Sequence, residues 1–539
     1  MSAGIIFRMK LKLYALLTTI SLLITPLTLE AQRPNIALDS INTRLLKSHL
    51  EFIASDELEG RLTPSRGLDL AGKYIAANLS RLGFTPMGDN GTFFQNFPLT
   101  HFAASSEKSF ATLNGKTLDY EKDYYLKNIG GKVEGELVYA GYGWRIPRTK
   151  TDPYTGLNIK GKIVVVSASS DFATIGLTPA DSNASGDEAP QSPQDVAVKG
   201  GAVGVVYLIS DADWTNALKQ HQSRRVRISW SPPSSVSTDE PNPIPVLSLN
   251  PTLCRELLRG EALTCQSVQR LIKDKKPLSS FALDPKKKIT FESGGAQETR
   301  MVRNVVAKWE GSDAQLKDEF VAVSAHYDHI GIKENAKPGE DAIYNGADDD
   351  GSGTVGVLSI AEALAKVPTH PKRSLLLIWH CGEEEGLWGS GYFVAHPVVP
   401  LKQMITLLNI DMIGRSKSTG EAKPGNTNLT SADEIYVIGS RRINPHLAEI
   451  SEQVNAEYYH LKLNYKYDAP NDPENLYERS DHYNYAQKGV PIIFYFDGVH
   501  EDYHGVGDEV SKIDFAKMER VSRTIYATLW ELAEAGLAK

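Results

Sequence analysis

The stretch "SLLLIWHCGEEEGLWGS", Ser374 to Ser390, runs apolar from Leu375 to Trp379 and soon meets three consecutive glutamates, Glu383, Glu384 and Glu385. An unbroken apolar run of this length marks a strand buried on both faces, as in parallel sheets covered by helices. Adjacent carboxylates repel one another at neutral pH, so three of them at the end of a buried strand call for positive charge opposite.

Working outward, the same rhythm repeats. "EFVAVSAHYDHIG" (319–331), "ITLLNIDMIG" (405–414), "EIYVIGS" (434–440) and "VPIIFYFDG" (490–498) read as strands. "GTVGVLSIAEALAKV" (353–367) and the segment 514–536 carry apolar residues at helical spacing, as do 42–58 and 65–84. This alternation predicts an α/β fold whose mostly parallel, mixed sheet is sandwiched by helices. "VRNVVAKWEG" (302–311) and "EFVAVSAHYDHIG" read as paired strands. The section from about 130 to 255 differs in texture, with short strands such as "GELVYAGYG", "GKIVVVSAS", "GAVGVVYL" and "IPVLSL" among Pro- and Gly-rich turns. It has no clustered His, Asp and Glu, so it reads as a separate module without chemistry of its own.

With 539 residues the chain exceeds one ordinary domain. A net charge of -8 gives no support to nucleic-acid binding, and the basic runs at 273–277 and 285–288 read as solvated loops. At the amino terminus, Arg8, Lys10 and Lys12 precede an apolar stretch, 13–29, broken by Pro26. That order reads as a secretory signal cleaved after Ala31, with export to the periplasm or medium and no membrane association afterwards. The three cysteines form no disulfide framework: Cys254 and Cys265 either pair or remain buried thiols, and Cys381 reads as a small buried residue.

The chemistry gathers at the carboxyl ends of the expected strands. His326 and Asp328 close one, Glu383 and Glu384 the next, Asp411 a third, and His504 follows the last. The loop "NGADDDGSG", with Asp348, Asp349 and Asp350, opens the helix after the first. Open α/β sheets place their sites at this edge. Imidazoles and carboxylates without thiolate suit catalytic zinc, and the number of candidates exceeds what one ion needs, which favours a two-metal centre. An EF-hand calcium loop is excluded by spacing.

Together, "SAHYDHIG", "GADDDGSG", "GEEEGLWGS", "NIDMIG" and "DYHGVGDE" resemble the di-zinc exopeptidases, a family that includes secreted bacterial aminopeptidases, aminopeptidase Y and glutamate carboxypeptidases. The resemblance covers about 303–539 and, more loosely, 42–84. It implies two Zn2+ per chain, one bound by His326 and Asp411, the other by Glu384 and His504, with Asp349 bridging. It also implies a cis peptide at Asp349–Asp350, Asp328 orienting His326, and Glu383 as the general base, with Glu385 a bystander. Tyr503 would stabilise the transition state or support its neighbour. His329, His380, His482 and His500 are left as structural or cleft-lining residues, and Ser480 and Ser352 as ordinary polar ones. The middle section is similar to a protease-associated domain, giving the division 1–31 signal peptide, 32–104 first part of the peptidase, 105–290 insert and 291–539 catalytic part. The implied activity is a secreted aminopeptidase acting on peptides. A carboxypeptidase or dipeptidase of the same family, a single-zinc glutaminyl cyclase and a non-catalytic binding protein are the rivals. Oligomeric state and side-chain preference have no sequence signal; the pocket walls are expected in loops 415–433 and 461–479.

Overall fold

The computed structural model describes residues 36–104, 106–127, 131–169, 171–178, 181, 189–223, 227–229, 244–333 and 336–537. The expected signal segment and most of the proline-rich stretch 229–245 lie outside them.

A ten-stranded sheet dominates. Its principal strands are β1 (Phe94–Ala104), β2 (Gly295–Trp309), β3 (Phe320–His326), β4 (Ser374–His380), β5 (Met404–Ile410), β6 (Glu434–Ile438), β7 (Lys462–Asn464) and β8 (Ile492–Phe496). They lie in the order β1-β2-β4-β3-β5-β8-β6-β7, with short strands Thr85–Pro86 and Arg227–Ser229 beside β2 and β1. The central strands β4, β3, β5 and β8 run parallel; β1 with β2, β2 with β4, and β6 with β8 pair antiparallel, and β7 lies parallel to β6 at the edge. The sheet is therefore mixed around a parallel centre. One expected pairing is corrected: β4 lies between β2 and β3, so those two strands are not neighbours. β4, the most continuously apolar strand, takes the interior place where both of its edges and both of its faces are covered.

The two faces of β4 show why its sequence does not alternate. Leu375, Leu377 and Trp379 enter a core with the helices of one side, while Leu376 and Ile378 join Phe393 and Tyr485 on the other. Burying each such side chain stabilises the fold by about 1.5–3 kcal/mol. The first side is built from α1 (Thr43–Ile53), α2 (Arg66–Arg81), α3 (Gly353–Leu364), α5 (His446–Tyr458) and α6 (Phe515–Ala535); the second carries α4 (Trp388–Ala395). Every residue of α3 is buried, because it is wedged between the sheet, α1 and α6. Asn42 and Ser65 cap α1 and α2 through the amides of Leu45 and Leu68.

Two smaller sheets lie within residues 110–293. One has six strands (Ser280–Ala282, Leu137–Ala140, Ile163–Ser167, Gly204–Leu208, Val246–Leu249, Tyr124–Leu126) and the other four. They enclose apolar cores of their own. The chain leaves the four-stranded sheet at Gly294, where a Cβ would meet the Lys108 carbonyl oxygen at 2.0 Å, so only glycine lets it step directly into β2. Cys254 and Cys265 form a disulfide there, and Cys381 is a buried free thiol. No described helix is long and apolar enough to cross a membrane.

Candidate metal centre

The parallel strands β3, β4, β5 and β8 end at one edge, and the residues that follow them converge. His326, the last residue of β3, is 1% exposed. Its Nε2 lies 3.4 Å from Asp349 Oδ1 and 3.7 Å from Asp411 Oδ1. Its Nδ1 faces back toward Asp328, 3.2 Å from the carbonyl oxygen and 3.6 Å from the carboxylate. Asp328 is itself held, accepting from the Thr63 hydroxyl at 3.1 Å and the Glu383 amide at 3.2 Å. His504 approaches from the opposite side, with Nε2 3.2 Å from Asp349 Oδ2 and 3.0 Å from Glu384 Oε2. Asp349 thus presents one carboxylate oxygen to each imidazole.

Backbone hydrogen bonds single out the middle aspartate of the triplet. Asp348 Oδ1 accepts from the Gly414 amide at 2.6 Å. Asp350 accepts from the amides of Gly353, Met412 and His326 at 2.9, 3.1 and 3.2 Å, tying α3 to β5 and β3. The Asp349 carboxylate takes none of these amides, and its Oδ2, like Oδ2 of Asp348, is buried without a hydrogen bond. The amides of Asp348 and Asp349 both donate to the buried Asp508 carboxylate at 3.0 Å. The Asp349–Asp350 peptide is cis. Asp350 falls within reach of His326 and Asp411, but its three amide contacts take most of the about four lone-pair sites of a carboxylate, so it serves the backbone first.

Charge is distributed unevenly. Burial pushes Glu383 well above the usual carboxylate range, Asp411 and Glu384 push it further, and His326 opposes them. Burial also raises Asp411, against the pull of His326. Burial disfavours ionised Asp349 and Glu384 as well, but the imidazoles of His326 and His504 outweigh it at Asp349, and those of His329 and His504 at Glu384, so both are lowered. Burial opposes a charged His504, yet its contacts with Asp349 and Glu384 raise it to about 10. This is a site in which carboxylates outnumber the cations facing them. Two imidazoles and three carboxylates, clustered and without thiolate, fit divalent zinc, and the orphaned Asp349 oxygen marks where positive charge belongs.

Among the remaining expectations, the Tyr503 ring stacks on His504 at 3.9 Å between centroids, and its hydroxyl accepts from Arg479 at 3.4 Å. Glu385 is exposed. His380 meets Tyr485 at 2.9 Å and Asp481 at 3.4 Å, His482 donates to the Tyr477 carbonyl, and His500 lies 3.4 Å from Asp348, all outside the donor cluster. Three residues carry more than sequence reasoning assigned them. Ser480 donates to Asp411 Oδ2 at 2.6 Å and is held by Asn409, which in turn accepts from Ser324. His329 reaches Glu384. Arg61, fully buried, donates to the carbonyls of Ile53, Tyr327, Asn345 and Gly346. The only sequence signal for His329 is its place three residues after His326; Ser480 and Arg61 carry none.

The ends of the parallel strands thus carry an imidazole–carboxylate set that is buried except at His504, whose side chain is 39% exposed. Residues 304–529 match the profile of peptidase family M28. A probable zinc metalloprotease of Leptosphaeria maculans is 28% identical over 262 residues, 43% of this chain and 58% of that protein. A probable leucine aminopeptidase of Arthroderma benhamiae is 28% identical over 231 residues, 41% of this chain and 56% of the relative. The chain thus spans little more than half the length of these curated relatives. The solved aminopeptidase from Aneurinibacillus sp. strain AM-1 superposes with a TM-score of 0.52 at 15% identity, over 92% of this chain and 95% of that one. At that identity the likeness is one of fold.

Proposed function

We propose that this chain is an exported di-zinc aminopeptidase, and that the observation carrying this reading is Asp349 set between two imidazole–carboxylate pairs. His326 and Asp411 would hold one zinc and Glu384 and His504 the other, with Asp349 shared. When bound, the ions supply Lewis acidity toward the peptide carbonyl and lower the pKa of the attacking water. Glu383 then has the proton work: it lines the cleft beside Asp349, Glu384 and Asp411 and belongs to neither imidazole–carboxylate pair, so its carboxylate is left to take a proton. It accepts the water's proton and passes it to the departing amine. Tyr503, whose hydroxyl lines the cleft beside His504, is placed to donate to the oxygen on which negative charge grows.

The cleft favours an amino-terminal substrate. Its lining combines the carboxylates of Asp349, Glu383, Glu384 and Asp411 with the apolar Met412, Leu476, Phe494, Phe496 and Val499, and with Arg479 and Tyr503. A free ammonium with an apolar side chain complements four carboxylates and an apolar wall, whereas a peptide carboxylate finds Arg479 as its one cationic partner there. The module within 105–290 is assigned to limiting access to this cleft.

Two substitutions test the roles. Glu383→Gln is expected to retain both zinc ions and lose about 10²–10⁴-fold in kcat, whereas Glu384→Gln loses zinc, read by metal analysis after gel filtration. A fully active Glu383→Gln enzyme overturns the assignment. Cleavage of amino-terminally blocked peptides as fast as free ones would reveal a carboxypeptidase instead.

A further inference from the structure

His329 is fully buried beside the donor set, and the mechanism above gives it no part. Its Nδ1 lies 2.7 Å from Glu384 Oε1, and since an ionised carboxylate only accepts, the imidazole donates. The ring is held from two sides. Its backbone amide donates to the Arg61 carbonyl at 3.2 Å. Its face packs on Gly346 (φ 57), where a Cβ would sit 2.6 Å from the imidazole carbons. A side chain at position 346 would therefore displace the ring.

Glu384 therefore has its two oxygens divided. Oε1 faces His329, and Oε2 faces His504 at 3.0 Å. We propose that His329 is a positioning residue: its Nδ1–H pins Glu384 Oε1, so that Oε2 alone is presented, with Asp349 and His504, to a zinc ion. The proposal rests on the di-zinc reading above. The rival role is that of a direct ligand, since His329, Asp349 and Glu384 lie close enough together to hold an ion and His329 Nε2 is buried without a partner; the contacts at Nδ1 favour positioning. The approaches of both Glu384 and Asp349 run to Nδ1, at 2.7 and 3.9 Å, and a nitrogen that donates a proton has no lone pair for a metal. His504, in contrast, turns one nitrogen, Nε2, to both carboxylates.

The test uses the full chain and zinc alone, with chelator competition for affinity, metal analysis at saturating zinc, and X-ray absorption for the number of bound imidazoles. Wild type is expected to take two zinc ions. His329→Ala should still take two, with the same imidazole count, but with one site weakened roughly 10–100-fold. His329→Asn, whose amide nitrogen can stand near the Nδ1 position, should recover part of that loss, and His329→Gln should not. Should His329→Ala fail to fold, the Asn and Gln variants decide the question between them. Loss of an imidazole from the zinc shell, or a second zinc unrestored at saturation, makes His329 a ligand and overturns the proposal. So does unchanged affinity in every variant. A wild-type chain that binds no zinc overturns the metal reading, and this inference with it.

Discussion

Burial opposes protonation of His482 more strongly than its polar neighbours favour it. The ring is buried, stacked on Phe494 at 4.5 Å, and bonded through Nε2 to the Tyr477 carbonyl, while Nδ1 has no partner. Burial lowers its pKa from 6.5 to about 4, against the smaller raising effects of the Tyr477 bond and Asp481. The sign of the linkage follows. Between these two values the unfolded chain binds a proton that the folded one refuses, so stability is fully present above pH 6.5 and falls as pH drops toward 4. The group's full effect is about 3 kcal/mol. His482→Gln is expected to flatten that part of the stability profile, checked by urea denaturation at pH 4.5 and 7. The same residue scale explains what sequence could and could not show at the site. Asp349, Glu384, Asp411, His326 and His504 are legible because their residue types recur at strand ends in order. Ser480 and His329 look ordinary in the chain, since each gains its part only from a contact 69 or 55 residues away.

Elements of this fold are joined at the site by backbone as much as by side chains. Asp350 alone ties the first turn of α3 to the ends of β3 and β5. Arg61 ties the end of α1 to the residue after β3 and to the loop before the aspartate triplet. Arg61→Met takes the guanidinium from the carbonyls of Ile53, Tyr327 and Asn345, while that of Gly346 keeps the Gly351 amide, and at about 1–3 kcal/mol each this is expected to lower stability by at least roughly 3 kcal/mol. Denaturation of the zinc-free protein measures this, and a loss below 1 kcal/mol would show that water replaces the guanidinium. Helices and strands themselves were largely readable from apolar spacing: the expected helix 353–367 is Gly353–Leu364, and 514–536 is Phe515–Ala535. The strand order was not. Reading "VRNVVAKWEG" and "EFVAVSAHYDHIG" as partners follows from their closeness in the chain, but β4 intervenes because pairing is decided by which strand most needs both edges covered.

At the scale of the molecule, two bodies of apolar core stand out: the helix-covered large sheet and the smaller sheets within 110–293. The disulfide belongs to the latter, closing a loop with a sequence separation of 11. Loop closure of that size is worth about 3 kcal/mol. The double variant Cys254→Ala/Cys265→Ala is therefore expected to lower the unfolding transition of that region while leaving zinc affinity unchanged, as calorimetry and metal titration would show. Composition separated these regions in the sequence, whereas the sulfur pairing did not follow from it, because eleven-residue spacing permits either state. The matched segment 304–529 holds every candidate donor, yet Arg61 and Thr63 lie outside it. Arg61 is synthesised early, and two of its carbonyl partners lie 284 and 285 residues further along. At about 5–20 residues per second, its guanidinium waits roughly 15–60 s for them to be made. Asp508, which fastens the triplet's amides, is later still by about 160 residues. The cleft is consequently a late product of translation, closed only when nearly the whole chain has left the ribosome.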